Sequence, residues 1–385
     1  MQTQQTSCRL GSRIEVVRAA LEFLKEQRAQ LLAEERKGAV CRSLEYGKRD
    51  FAILLLDSGS IEDPYGECLL EAARLGDQEI IDRLLQSGEA SKLHCISAAQ
   101  SAAAWKHWDI ARALILRAEL TASDFERGSI AYEALICAAA RQGDLEIIRR
   151  LWPDGKKDEQ LQTRMLFSAV GGNQAETIPF ILNFGPIDSA TRGVMLRDAA
   201  ELGFQQCVNA LLLKPANALL QNLYVQVAHA AGEKGHWTVA KSLLIYGDVR
   251  ISGEVPRSIF SYSENFYWKF PELHTFLTQA AEKNDLEILE RLTPTKPEKL
   301  ARLFRGQILC NAARQLQIPA VQFALQQGSI RKFDRGGAVH SAAYHGHLEL
   351  LKTLLASGPI SDLSREMARK IASFRGHLKI AKKLS

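Results

Sequence analysis

EAARLGDQEIIDRLLQSG (71–88) is the stretch whose reading decides the fold. Ala72 and Ala73 stand four and three residues before Gly76, and the apolar pairs Ile80/Ile81 and Leu84/Leu85 follow it, four residues apart. Pairs at that spacing stack on one face of a helix. Ala-Ala gives the preceding helix a side with almost no bulk, where a neighbouring helix can approach closely. Glycine between the two supplies a tight turn, tolerating positive φ or close backbone approach. The stretch therefore reads as two short helices around a turn. CAAARQGDLEIIRRLW (137–152) and SAAYHGHLELLKTLLASG (341–358) repeat it with different residues at the variable positions.

With the turn residue as anchor, the series runs Gly47, Gly76, Lys106, Gly143, Asn173, Gly203, Gly235, Asn284, Leu316, Gly346 and Gly376, at intervals of 29, 30, 37, 30, 30, 32, 49, 32, 30 and 30 residues. A unit of about thirty residues cannot bury both helices alone, so units must stack on one another. The pattern predicts an all-α fold, an elongated solenoid of helical hairpins. Residues 1–35 read as a polar tail and an N-terminal capping helix, with Ser12 and Glu15 as a capping box and Ile14, Val17, Leu21, Leu24 and Leu31 along one face. Repeats 1–7 span 36–249, an aromatic-rich insertion 250–273, and repeats 8–11 span 274–385.

GGAVHSAAYHGHLELLKTLLASG (336–358) resembles the ankyrin-repeat consensus through Gly336, Val339, His340, Ala342, Ala343, Gly346, His347, Leu354, Leu355 and Gly358. The resemblance extends over roughly 36–385. It departs in lacking the Thr-Pro dipeptide, and the period is nearer 30 than the family's 33, with the loss falling where ankyrin repeats project a β-finger. Short irregular loops in place of fingers are the expectation. Shortened arrays of this kind resemble those of intracellular bacteria and large viruses, which implies an effector working in a host cytosol.

Composition removes several functional classes. The 385 residues are 46% hydrophobic and 24% charged, and no apolar run approaches the ~18 residues of a membrane span. The opening MQTQQTSCRLGSR has no apolar core of the kind a secretory leader needs. Seven cysteines at scattered spacings point to a reducing compartment, here the cytoplasm. No P-loop, GxGxxG, HExxH or CxxC motif is present. His340, His345, His347 and His377 cluster in sequence, but three of them occupy repeat positions with structural roles, so no metal, cofactor or catalytic residue is expected. Cys137 and Cys310 share one repeat position and read as small buried apolar residues. Asp77, Asp144, Asp285 and His236 directly follow their anchors and read as N-caps of the second helix. Glu79, Glu146, Glu287 and Glu349 sit in its first turn, favourable for the helix dipole.

Function is read from the surface. In ankyrin-like stacks the variable positions of the first helix line the concave face, and here they are the two residues before the anchor. The outer of these rows gives Arg74, Arg141, Glu201, Glu233, Glu282, Arg314, Tyr344 and Phe374, and the inner adds Trp105, Lys234, Lys283, His345 and Arg375. One reading is a solvated face; the sharper one is a charge-segregated strip that binds an extended polypeptide. The insertion packs Phe260, Tyr262, Phe266, Tyr267, Trp268 and Phe270 into eleven positions, either as a mini-core or as a recognition element led by Phe266, Tyr267 and Trp268.

The net charge of +5 resides in 361–385, where seven basic and two acidic side chains stand. Arg369, Lys370, Arg375, Lys379, Lys382 and Lys383 either keep a terminal repeat soluble or bind nucleic acid or acidic lipid. The favoured function is a monomeric, non-catalytic protein-binding scaffold; the alternative is anion binding at this last repeat. Ala342→Leu or Ala139→Leu should overpack the contact between repeats and cost about 1–3 kcal/mol, read as a lowered urea midpoint.

Overall fold

The computed structural model describes residues 17–18, 33–58, 66–86, 90–125, 129–152, 158–212, 218–258 and 270–385. The chain forms two compact units, Met1–Ile187 and Asp188–Ser385. The first holds the helix pairs Ala33–Glu45/Arg49–Asp57, Glu67–Leu75/Gln78–Gln86, Lys92–Ala104/Trp108–Arg117, Ile130–Gln142/Leu145–Leu151 and Glu159–Gly171/Thr177–Leu182. The second holds Ser189–Glu201/Gln205–Leu211, Ala218–Glu233/Trp237–Tyr246, Pro271–Glu282/Leu286–Leu292, Glu298–Arg314/Ile318–Gln326, Lys332–His345/Leu348–Ala356 and Asp362–Phe374/Leu378–Leu384. Within each unit the first helices pack on one another in succession, and no strand occurs among the described residues. The fold is an all-α helical-repeat solenoid.

Every anchor read from the sequence sits in the left-handed region, with φ between 56° and 85°. At all eleven, the N–H of the following residue donates to the carbonyl four residues before the anchor, at 2.7–3.1 Å. This is a Schellman turn, and it satisfies carbonyls that the end of a helix would otherwise leave unpaired. The small residues on that turn are buried: Ala72/Ala73, Ala139/Ala140, Ala199/Ala200, Ala280/Ala281, Ala312/Ala313 and Ala342/Ala343 are all fully inaccessible. Ile147, Ile148 and Leu151, and likewise Leu350, Leu351 and Leu354, supply the second-helix half of the core.

The residue after the anchor caps the second helix in four repeats. Asp77, Asp144 and Asp285 accept through Oδ1 from the N–H groups of Ile80, Ile147 and Ile288, and His347 accepts through Nδ1 from Leu350. His236, expected to do the same, makes no side-chain cap bond. Its ring lies against the anchor of the preceding repeat instead: a Cβ added to Gly203 would stand 2.5 Å from Nδ1. His107 covers Gly76 and His377 covers Gly346 in the same way.

Where the residue is aspartate, a cation of the preceding second helix bridges to it. Arg49 donates to Asp77 at 2.5 Å and also pairs with Glu79. Arg112 reaches Asp144 at 2.9 Å and Glu146 at 2.5 Å, and Lys241 reaches Asp285 at 2.9 Å and Glu287 at 3.3 Å. The recurrent first-turn glutamates thus complete a ladder between repeats, beyond their effect on the helix dipole.

A second device recurs in four of the repeats. Eleven residues before the anchor, the longer first helix carries a polar side chain that reaches the carbonyls at the end of its own second helix. Tyr132 donates to Leu151 O at 2.7 Å, Gln162 to Gly185 O at 2.7 Å and Ile181 O at 3.0 Å, Arg305 to Gln327 O at 2.7 Å, and Arg335 to Pro359 O at 2.9 Å. All four are buried. Burial also pushes the Tyr132 phenol up to about 12.

Two expectations fall outside the described residues: the capping box at Ser12 and Glu15, and the aromatics Phe266, Tyr267 and Trp268. The described flanks of the insertion are tied down, with Ile251 N–H donating to Arg291 O and Val255 and Phe270 buried.

Adjacent glycines give opposite predictions. A Cβ on Gly172 would stand 1.9 Å from the carbonyl oxygen of Arg141 in the preceding repeat, whereas one on Gly171 meets nothing within 4 Å. Gly172→Ala should therefore cost about 3 kcal/mol or more, while Gly171→Ala, at a helical position, should be neutral or stabilise by up to about 1 kcal/mol. Chemical unfolding of the two variants checks both signs.

Candidate functional site

The surface to assess is the exposed side of the first helices, built from positions two and one before each anchor. In the first unit, Arg74 is half-buried, salt-bridged to Glu71 at 2.7 Å, and stands 5.5 Å from the ring centroid of Trp105. Trp105 is 57% exposed. Arg141 is exposed. In the second unit, the same register sets Arg375 over the Tyr344 ring at 3.8 Å, with His345 edge-on at 5.0 Å. Phe374 is the most open large apolar side chain among the described residues, at 90%. An aromatic and an arginine on successive repeats thus stack in both units, a contact worth about 0.5–1 kcal/mol at exposed sites.

The three glutamates occupy successive repeats of the second unit. Glu201 and Glu282 are half-buried and have no cationic partner among the described residues; Glu233 is exposed, with His229 Nε2 at 3.8 Å. One turn before Glu201, burial and then the nearby Glu201 charge raise the Asp198 carboxyl above its usual range. Arg314, next along the row, is exposed.

Sequence reasoning passed over part of this face. Tyr46 and Leu75 hold the same register as Trp105 and are 76% and 41% exposed, so the first unit presents an apolar row of three. The anchor arithmetic that found Trp105 points to both.

The histidines near the C-terminus are engaged separately. His340 Nε2 lies 2.9 Å from Ser364 O, His377 Nε2 lies 3.2 Å from Tyr344 O, and His347 caps its helix. No group of three His, Cys, Asp or Glu able to hold a metal exists among the described residues. Arg369 and Lys370 belong to the last first helix, with Lys370 paired to Glu366 at 2.9 Å, and Arg375 caps its C-terminal end; Lys379, Lys382 and Lys383 belong to the second helix of that repeat. The six cations thus divide between two helices.

A half-open pocket lies beside this face in the second unit. With a volume of about 200 Å³, it lies between Pro271–Glu282, Glu298–Arg314 and the start of Lys332–His345. Phe270, Phe304 and Leu303 form its apolar wall, and His274, Gln307, Cys310 and Asp334 its polar one. Asp334 is 5% exposed, and both its oxygens accept from Arg331, at 2.6 and 2.8 Å. Its close fit depends on Gly306, where an added Cβ would stand 2.1 Å from Asp334 Oδ2. Burial pushes the Cys310 thiol up to about 11 and the His274 imidazole down to about 4. No described helix is long and apolar enough to cross a membrane.

No family model matches the chain, and no curated protein does. Thirteen chains of solved structures match. One is the crystal structure of the pentatricopeptide repeat protein PPR10 from maize, at 14% identity and a TM-score of 0.29, covering 96% of this chain and 60% of that one.

The His274 shift carries a sign. A base whose folded pKa lies below its unfolded value of ~6.5 stabilises the fold above that value and loses the contribution as pH falls toward 4. The urea midpoint should therefore drop over that window, and His274→Gln should flatten the drop. An imidazole proton titrating near 6.5 in NMR would contradict the assignment.

Proposed function

We propose that the chain is a non-catalytic, ankyrin-like scaffold that binds an extended polypeptide along the exposed side of its first helices. Supporting this reading is the row Glu201, Glu233 and Glu282 on successive repeats, of which Glu201 and Glu282 lack a cationic partner among the described residues. Carboxylates held in register favour a basic segment running across the repeats. Stacked Arg74–Trp105 and Arg375–Tyr344 supply rigid, partly apolar tiles of the sort enriched where proteins bind one another. Phe266, Tyr267 and Trp268 of the insertion belong to the same proposal as a second contact. The reading places the chain in a cytosol, that of a host cell if it acts as an effector.

Changing Glu201, Glu233 and Glu282 together to Lys should leave the circular dichroism spectrum unchanged and lower affinity for proteins cross-linked to the wild-type chain by tenfold or more, about 1.4 kcal/mol. Unchanged affinity refutes the strip. Binding that survives the reversal and weakens steeply with salt favours nucleic acid or acidic lipid at Arg369, Lys370, Arg375, Lys379, Lys382 and Lys383.

A further inference from the structure

We infer that the pocket between His274 and Asp334 receives one uncharged aromatic side chain, a tyrosine or tryptophan, of the polypeptide partner. The inference rests on the scaffold reading above and adds the residue class that anchors the partner.

Position comes first. Leu303, Gln307, Cys310 and Arg314 are spaced i, i+4, i+7 and i+11 on one helix, so they share a face. The pocket therefore opens on the side that carries Arg314, about 10 Å along the helix from it. An extended chain crossing the strip at Arg314 covers the distance to the opening in about three residues.

Size comes second. A dry cavity of about 150 Å³ accommodates a benzene ring, so about 200 Å³ admits a phenol or an indole. Phe270 and Phe304 are nearly fully buried and fix the apolar wall. A rigid ring entering such a wall brings large contact area with few torsions to freeze.

Charge comes third. The Asp334 carboxylate is neutralised by two-point contact with Arg331. Cys310 donates its thiol proton to Asp334 O at 3.3 Å, and His274 is uncharged at neutral pH. A lysine or glutamate entering here would lose its hydration with no counter-ion in return, which disfavours charged side chains. One polar opportunity remains. Gln307 Nε2 donates to His274 O at 2.9 Å and to Thr278 Oγ1, while no donor among the described residues reaches its carbonyl oxygen. A phenol O–H or an indole N–H fits that acceptor; phenylalanine does not use it.

Cys310 is a reporter already in place, since it lines the pocket and is half-buried. The experiment alkylates the full wild-type chain with iodoacetamide and follows the Cys310 peptide by mass spectrometry. Added probes are the capped tripeptides Gly-Tyr-Gly, Gly-Trp-Gly, Gly-Lys-Gly and Gly-Glu-Gly, together with free 4-ethylphenol. Tyrosine and tryptophan peptides should slow modification about threefold at a concentration twice their Kd, as 1 + [L]/Kd requires. The charged peptides should leave the rate unchanged. Gln307→Leu should remove most of the tyrosine protection, and its circular dichroism spectrum and urea midpoint serve as the folding control. Absence of protection by both aromatic peptides overturns the proposal, as does equal protection by lysine or glutamate. Protection by 4-ethylphenol alone overturns the polypeptide source and leaves a small-molecule site. None of these outcomes depends on the glutamate reversal, so pocket and strip can fail independently.

Discussion

The left-handed turn at the anchor governs everything built around it. Its Schellman bond closes the first helix on the carbonyl four residues before the anchor, and in ten of the eleven repeats an alanine supplies that carbonyl. Exit direction, approach of the next helix and start of the second helix all follow from this geometry. Glycine adopts it without strain, and asparagine nearly so. Lys106 and Leu316 hold it against a steric cost of about 1–2 kcal/mol each, so packing of the flanking helices must over-determine the turn in those repeats. Because the turn is so tight, the residue after it belongs to both helices. That residue is resolved in two ways: aspartate caps the second helix and draws a cation from the preceding repeat, while His107, His236 and His377 lay their rings on the preceding glycine.

The donors eleven residues before the anchor explain how so short a repeat closes. In a row of hairpins, the carbonyls ending each second helix need partners, and burial without them is costly. Here the first helix starts early enough for Tyr132, Gln162, Arg305 or Arg335 to reach across. Among the described residues no strand projects between these repeats.

How much of this was legible follows from what each position demands. A positive φ restricts residue type, so the anchor row could be followed through all eleven copies, even where lysine or leucine stands in. Burial against a close helix restricts type too, which exposed the Ala-Ala rows. The donor row left no such trace, because Tyr, Gln and Arg share an N–H or O–H and little else. His236 was misread for a related reason: His347 in the equivalent place does cap, and residue identity cannot tell a ring that accepts from a ring that packs. The pocket was invisible because its walls come from Phe270, the Glu298–Arg314 helix and Asp334, brought together from three successive repeats.

The two sides of the repeat also differ in what their charges do. On the second helices, Arg49, Arg112 and Lys241 are held by carboxylates of the next repeat, so their charge is largely cancelled within the fold. On the first helices, Glu201 and Glu282 have no such partner among the described residues, and Asp198 beside Glu201 is raised first by burial and then by the Glu201 charge. A ladder of ion pairs thus runs between the second helices, beside first helices on which Glu201 and Glu282 carry no ion pair among the described residues. In the reading proposed above, charge orients an extended partner, and a ring seated in the pocket beside Arg314 sets its register.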